Sequence, residues 1–199
     1  MGNTDKILSV DEETKLIKPI DDYISSIQKQ IDDLRKDGTF MVQYLKNHIS
    51  VLKRDKNLSS DERETLISDD KKALEKAKQV ENSNKSKIDA LIKDAEDYLD
   101  SHYEKEYFSK VAASCEAQKQ AENERHNNKL EALKRDYEAE KSRLSDKQEL
   151  KDAKYVYKNA VFDEDASHET KLQEIKDRKH DAFAYKYHLI DLLRMSKFT

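Results

Sequence analysis

Two glycines, one proline, one cysteine and no tryptophan among 199 residues leave this chain almost without punctuation. Gly2 and Gly38 are too few for a phosphate cradle, which needs glycines to bring several backbone N–H groups around an anion. The lone Cys115 excludes an intrachain disulfide. It falls in a helical apolar pattern with Phe108 and Val111, which marks it as a small packed residue. No stretch reaches the roughly 18 apolar residues that a membrane span requires. The start, Met1-Gly2-Asn3-Thr4, has no apolar signal region, and Lys6 stands where a myristoylation signal wants Ser or Thr. A cytoplasmic location is the expectation, with signal-less export left open.

Metal and catalytic chemistry are also thinly represented. His48, His102, His126, His168, His180 and His188 are scattered, and none are paired at the H-x-x-x-H spacing. Di-iron bundles use Glu-x-x-His on facing helices. The nearest matches, Asp165-x-x-His168 and Asp177-x-x-His180, carry the shorter Asp. Charge of one sign is lacking too: 38 basic residues stand against 42 acidic ones, net −4, with the signs interspersed. Nothing forms the basic block that tracks phosphates, so nucleic acid is not an expected partner. No cofactor, metal or enzymatic activity is expected, because no set of polar groups converges as a pocket requires.

What is present is charge and helix-forming composition. Charged residues make up 40% and hydrophobic ones 36%, against about 25% and 45–50% in globular domains. Disordered chains share this bias but are enriched in Pro, Gly and Ser. Here the shortage of breakers favours long helices, and a coiled-coil seam needs only about two apolar residues in seven. The expected fold is all-α: elongated antiparallel helical hairpins of coiled-coil type, with about four to five helices.

Residues 1–9 read as a flexible leader. Ser9 with Glu12 forms a capping box, which starts a helix at Val10. Ile17, Ile20, Ile24, Ile27, Ile31 and Leu34 then follow at spacings of 3, 4, 3, 4 and 3, an uninterrupted a/d seam. Pro19 is expected to open the main helix or kink a longer one. Gly38 can end that helix or bend it, and Met41, Leu45, His48 and Leu52 continue the heptad phase beyond it. The segment from Phe40 to Leu52 is apolar on more than one face and should be packed on two sides. Asp55–Ser60 is a turn, and Ser59 with Glu62 makes a second capping box. Residues 81–86 are polar and lean towards helix. Residues 10–101 are thus expected to form an N-terminal hairpin, with arms of roughly 70 and 63 Å at 1.5 Å per residue.

Residues 102–199 read as one long helix followed by an amphipathic C-terminal helix. Residues 103–161 lack Gly and Pro and would span roughly 88 Å as a helix. Residues 163–167 are expected to be an acidic loop capped by Ser167. This stretch also holds Asp163, Asp165, Ser167, Glu169, Lys171 and Glu174 at EF-hand spacing, but His168 occupies the position that needs Gly. The last helix carries Phe183, Tyr187, Ile190 and Leu193 on one face. At about 45 Å it leaves half of the long helix without a partner inside the chain. A second copy or another helical protein would cover the remainder, through the Ile17–Leu34 seam or the Phe183–Leu193 face. The function expected is a coiled-coil scaffold or adaptor. The alternatives are an assembly or secretion chaperone of the capsid-scaffold kind, and a helical dimer on a membrane surface, which the mixed charges disfavour.

Overall fold

The computed structural model describes residues 7–198, and these are helical almost throughout, with no strand among them. Helix α1 spans Val10–Arg54, α2 Ser60–Tyr98, a π-helical segment Leu99–Phe108, α3 Ser109–Lys141 and α4 Lys147–Ser196. The all-α class and the antiparallel hairpins are as the sequence implies. The leader's residues 1–6 lie outside the described residues.

Local chemistry accounts for the boundaries. Ser9 Oγ accepts from the Glu12 amide at 3.3 Å, and the Glu12 carboxylate returns to the Ser9 amide at 2.9 Å. Ser59 and Glu62 repeat this box at the start of α2. Between them, Arg54 ends α1 and residues 55–59 turn the chain. Each box satisfies amides that the first helical turn leaves without partners.

The chain divides into two compact units: Leu16–Tyr103 with Lys186–Thr199, and Met1–Lys15 with Glu104–Tyr185. In the first unit α1 and α2 run antiparallel. Tyr23 meets Tyr98, Gly38 meets Glu81 and His48 meets Asp70, so one register holds along the hairpin. Ile20, Ile24, Ile27 and Ile31 are buried, followed by Gly38, Val42, Leu45, Ile49 and Leu52. Gly38 therefore does not end the helix. It occupies a core position where a Cβ would come within 3.2 Å of the Glu81 Cα. Beyond it the seam runs through Val42 and Ile49, while Met41 is exposed. Residues 81–86 are helical, and Asn84 donates across the hairpin to the Leu34 carbonyl at 3.0 Å. The end of α4 joins this unit through buried Leu189 and Leu193, with Lys186, Arg194 and Lys197 paired to Asp100, Glu96 and Asp89.

In the second unit α3 and α4 run antiparallel, and here the sequence reading needs three corrections. The long helix does not continue to 161. It ends at Lys141, and Asp146 restarts the chain by accepting from the Gln148 and Glu149 amides at 2.7 and 3.1 Å. Residues 163–167 are not a loop but lie in mid-α4, so the EF-hand spacing is a helical repeat and not an ion-binding loop. And because α4 folds back along α3, the supposed unmatched half-helix has an intrachain partner, which removes that argument for a second copy. Cys115 is buried with Val111 and Ala182, against Tyr107, Phe108 and Ile175.

Within the π-helical segment Leu99 and Tyr103 are buried. Its turns are wider than those of an α-helix, with i→i+5 bonding.

Candidate functional site

The densest cluster of chemistry-bearing side chains bridges α3 and α4. Glu122 and His126 are one turn apart on α3, and Glu164 and His168 one turn apart on α4. The antiparallel register crosses them: His126 Nδ1 lies 3.2 Å from Glu164 Oε1, and His168 Nδ1 lies 3.2 Å from Glu122 Oε1. The two imidazoles stack with centroids 4.0 Å apart and planes 9° apart. Arg125 joins the carboxylates, donating from Nη2 to Glu122 at 2.7 Å and to Glu164 at 2.6 Å. Lys171 adds a further cation 3.7 Å from Glu122.

Electrostatics follow from these bonds. The Arg125 hydrogen bonds pull the Glu122 carboxyl down to about 2, with His168 and Lys171 assisting against the opposing effect of burial. Arg125 lowers the Glu164 carboxyl as well, and the two carboxylates in turn hold the guanidinium more firmly protonated. Both acids are ionised and hydrogen-bonded, so neither is poised as a general acid or base near neutral pH. Among the described residues no group of three or more His, Cys, Asp or Glu is arranged to hold a metal ion. The arrangement is a charge-assisted clamp that fixes how α3 and α4 meet.

A second constellation holds Leu8 and Glu13. Arg178 donates to Gln118 Oε1 at 2.8 Å, to the Leu8 carbonyl at 3.3 Å and to Glu13. The Leu8 amide donates to the buried Ser114 hydroxyl at 2.9 Å. Residues 7–15 are thereby tied to the α3–α4 hairpin.

The residues singled out from sequence fall into different places. Ile20, Ile24, Ile27 and Ile31 are buried, Ile17 and Leu34 half-buried, all within α1. On α4, Leu193 is buried and Ile190 half-buried, while Phe183 and Tyr187 are exposed. Phe183 meets the edge of the Phe108 ring at 5.6 Å. Sequence reasoning missed the Glu–His cross, because an E-x-x-x-H pair on one helix says nothing until a second helix supplies its counterpart. The signal available was the recurrence of that pair at 122–126 and 164–168.

The family model for the N-terminal domain of the ABC transporter permease MglC matches residues 10–199. No curated protein and no solved structure matches the chain.

Proposed function

Since the chain belongs to the family of ABC transporter permease MglC N-terminal domains, we propose that it is an extramembrane helical arm of a transport system. It works by protein contact beside the translocation path and faces the cytoplasm. The family is one of transport and not of catalysis, which agrees with side-chain clusters devoted to ion pairing. The observation that carries the reading is where the apolar residues go. The isoleucine seam of α1 and the Val111–Cys115 core are spent inside hairpins, and no described helix is long and apolar enough to cross a membrane. A permease-family domain built this way serves its system by holding another component.

The contact face in this reading is the outer side of α4. Tyr155, Val156 and Phe162 are exposed there, at 68%, 63% and 71%. Isolated exposed apolar residues are ordinary, but three large ones within eight positions are the composition of an interface core. The partner is another helical subunit of the transporter.

The test is photo-crosslinking from benzoylphenylalanine placed at Tyr155 or Phe162, in cells carrying the whole transport system. Cross-links to another transporter subunit are expected. Cross-links only between copies of this chain, or none at all, would overturn the adaptor reading.

A further inference from the structure

Helix α1 carries a second stripe, on the side away from its buried seam. Lys36, Phe40, Tyr44, Asn47, Val51 and Arg54 follow one another at spacings of 4, 4, 3, 4 and 3, and all six are exposed. This spacing places them on one helical face about 27 Å long. Phe40 is 71% exposed, Val51 62% and Tyr44 53%, with Met41 alongside. The rings of Phe40, Tyr44 and His48 stack in succession, with centroids 6.5 and 5.9 Å apart.

The stretch of helix that carries this face is also short of acid. From Gly38 to Arg54 the chain has no acidic residue, the longest such run in a sequence with 42 acids. The run includes Lys46, Lys53 and Arg54, none paired with a carboxylate among the described residues; Arg54 lies on the stripe and Lys46 and Lys53 on the flank of the helix, while Lys36 at the stripe's start pairs with Asp32. The facing stretch of α2 from Asp61 to Glu75 holds six acids against three bases, Arg63, Lys71 and Lys72. At this end of the hairpin the α1 stretch is thus basic and aromatic, and the α2 stretch opposite is net acidic.

We propose that the face of α1 from Lys36 to Arg54 lies on the surface of a bilayer containing anionic lipid. Cations within a Debye length of such a surface are attracted to it, and aromatic rings settle at the headgroup boundary. A helix with an apolar stripe rimmed by Lys and Arg binds in the plane of the interface, the long basic side chains reaching to the headgroups. A partner helix is the poorer fit, because Lys36, Asn47 and Arg54 occupy half of the stripe and would interrupt a seam between two helices. The lipid surface takes those residues without loss. The net-acidic stretch of α2 from Asp61 to Glu75 then faces away from the membrane. The inference depends on the membrane setting of the family and not on the contact face of α4.

The absence of tryptophan provides the test. The full-length F40W and Y155W variants each contain a single tryptophan, on α1 and α4 respectively. They are mixed with vesicles of phosphatidylcholine alone or with one-third phosphatidylserine. Emission from F40W is expected to shift to the blue and to be quenched by brominated lipid only with the anionic vesicles, and high salt should reverse this. Y155W should not respond. Lys53→Gln with Arg54→Gln, which removes the charges without placing anions at the end of α1, should weaken vesicle binding at least tenfold while shifting the melting curve only slightly. The proposal is overturned if F40W does not respond to anionic vesicles, or if F40W and Y155W respond alike. It is equally overturned if the F40W emission shifts with protein concentration in the absence of lipid, which would assign the face to a second copy.

Discussion

His126 and His168 lie ring on ring, and each takes its carboxylate from the helix that carries the other: Glu164 for His126, Glu122 for His168. Two i,i+4 pairs on antiparallel helices meet in this way in only one register. A slip of one helical turn would break both bonds and leave Arg125 without its second carboxylate. Beyond Cys115 Glu122 is the only fully buried residue of α3, with Leu130, Leu133 and Tyr137 half-buried further along. The polar cross therefore specifies the pairing that a hydrophobic seam specifies in α1 and α2.

Replacing Glu122 by Gln tests that role. The shape is kept, the charge is lost, His168 loses its anionic acceptor and Arg125 keeps only Glu164. The cluster is only partly shielded from solvent, with the Arg125 side chain 38% exposed, so the cost should resemble that of a semi-exposed pair. About 1 kcal/mol is expected, well short of the 3–5 kcal/mol of a broken interior ion pair. Urea unfolding followed by circular dichroism measures it. An unchanged midpoint would mean that the clamp contributes specificity and no stability.

The same carboxylates set an acid limit. The Glu122 carboxyl is lowered from 4.5 to about 2 by its bonds to Arg125, and that of Glu164 is lowered by the same guanidinium. A depressed folded-state value means that the unfolded chain binds the proton more readily. The stabilisation is therefore complete above about pH 4.5 and is lost as pH falls towards 2. Melting temperature should decline across this window in the parent protein, and less steeply in Glu122→Gln. Parallel acid limbs in the two would show that other groups control the decline.

Much of the fold was legible because local chemistry and tertiary packing agree. The capping boxes at Ser9 and Ser59 act within four residues, and the isoleucine spacing of 3 and 4 needs only one partner helix. The turn at 142–146 was hidden because Arg143 and Leu144 prolong the helical pattern, and Asp146-x-x-Glu149 was passed over as a cap. The acids at 163–165 looked like loop because their partners lie about 40 residues away: Glu164 bonds Arg125, and Asp165 lies 3.5 Å from His126. Met41 was placed in the seam where Val42 lies, since Gly38 has no side chain to reveal the shift. The outward stripe of α1 could have been read from the sequence, whose segment Phe40–Leu52 was expected to be covered on two sides.

Gly38 itself gives a prediction whose sign depends on one contact. In an exposed helix, Gly→Ala gains about 1 kcal/mol from helix propensity. Here the new Cβ would lie 3.2 Å from the Glu81 Cα, a backbone atom that cannot rotate away. The gain and the strain should nearly cancel, so Gly38→Ala is expected to change stability by less than about 0.5 kcal/mol. Gly38→Val adds bulk that the facing helix cannot accommodate and should cost about 2 kcal/mol. Thermal melts of the two variants decide it. A Val variant as stable as the parent would show that the arms can separate at this level.

Arg178 is the tie whose removal should be most local. It reaches Gln118, the Leu8 carbonyl and Glu13 from a position on α4, while the Leu8 amide depends separately on Ser114. Arg178→Ala removes three acceptors' donor at once and leaves the α3–α4 core of Val111, Cys115 and Ala182 untouched. Hydrogen exchange should then quicken about tenfold or more at the first turns of α1, corresponding to the loss of about 1.4 kcal/mol of local protection. Exchange around residues 122–126 and 164–168 should remain as in the parent. Faster exchange in both regions would mean that the tie at Arg178 and the Glu–His cross belong to one cooperative unit. Unchanged exchange at residues 10–15 would mean that the Ser9–Glu12 cap and the Ser114 bond hold this segment unaided.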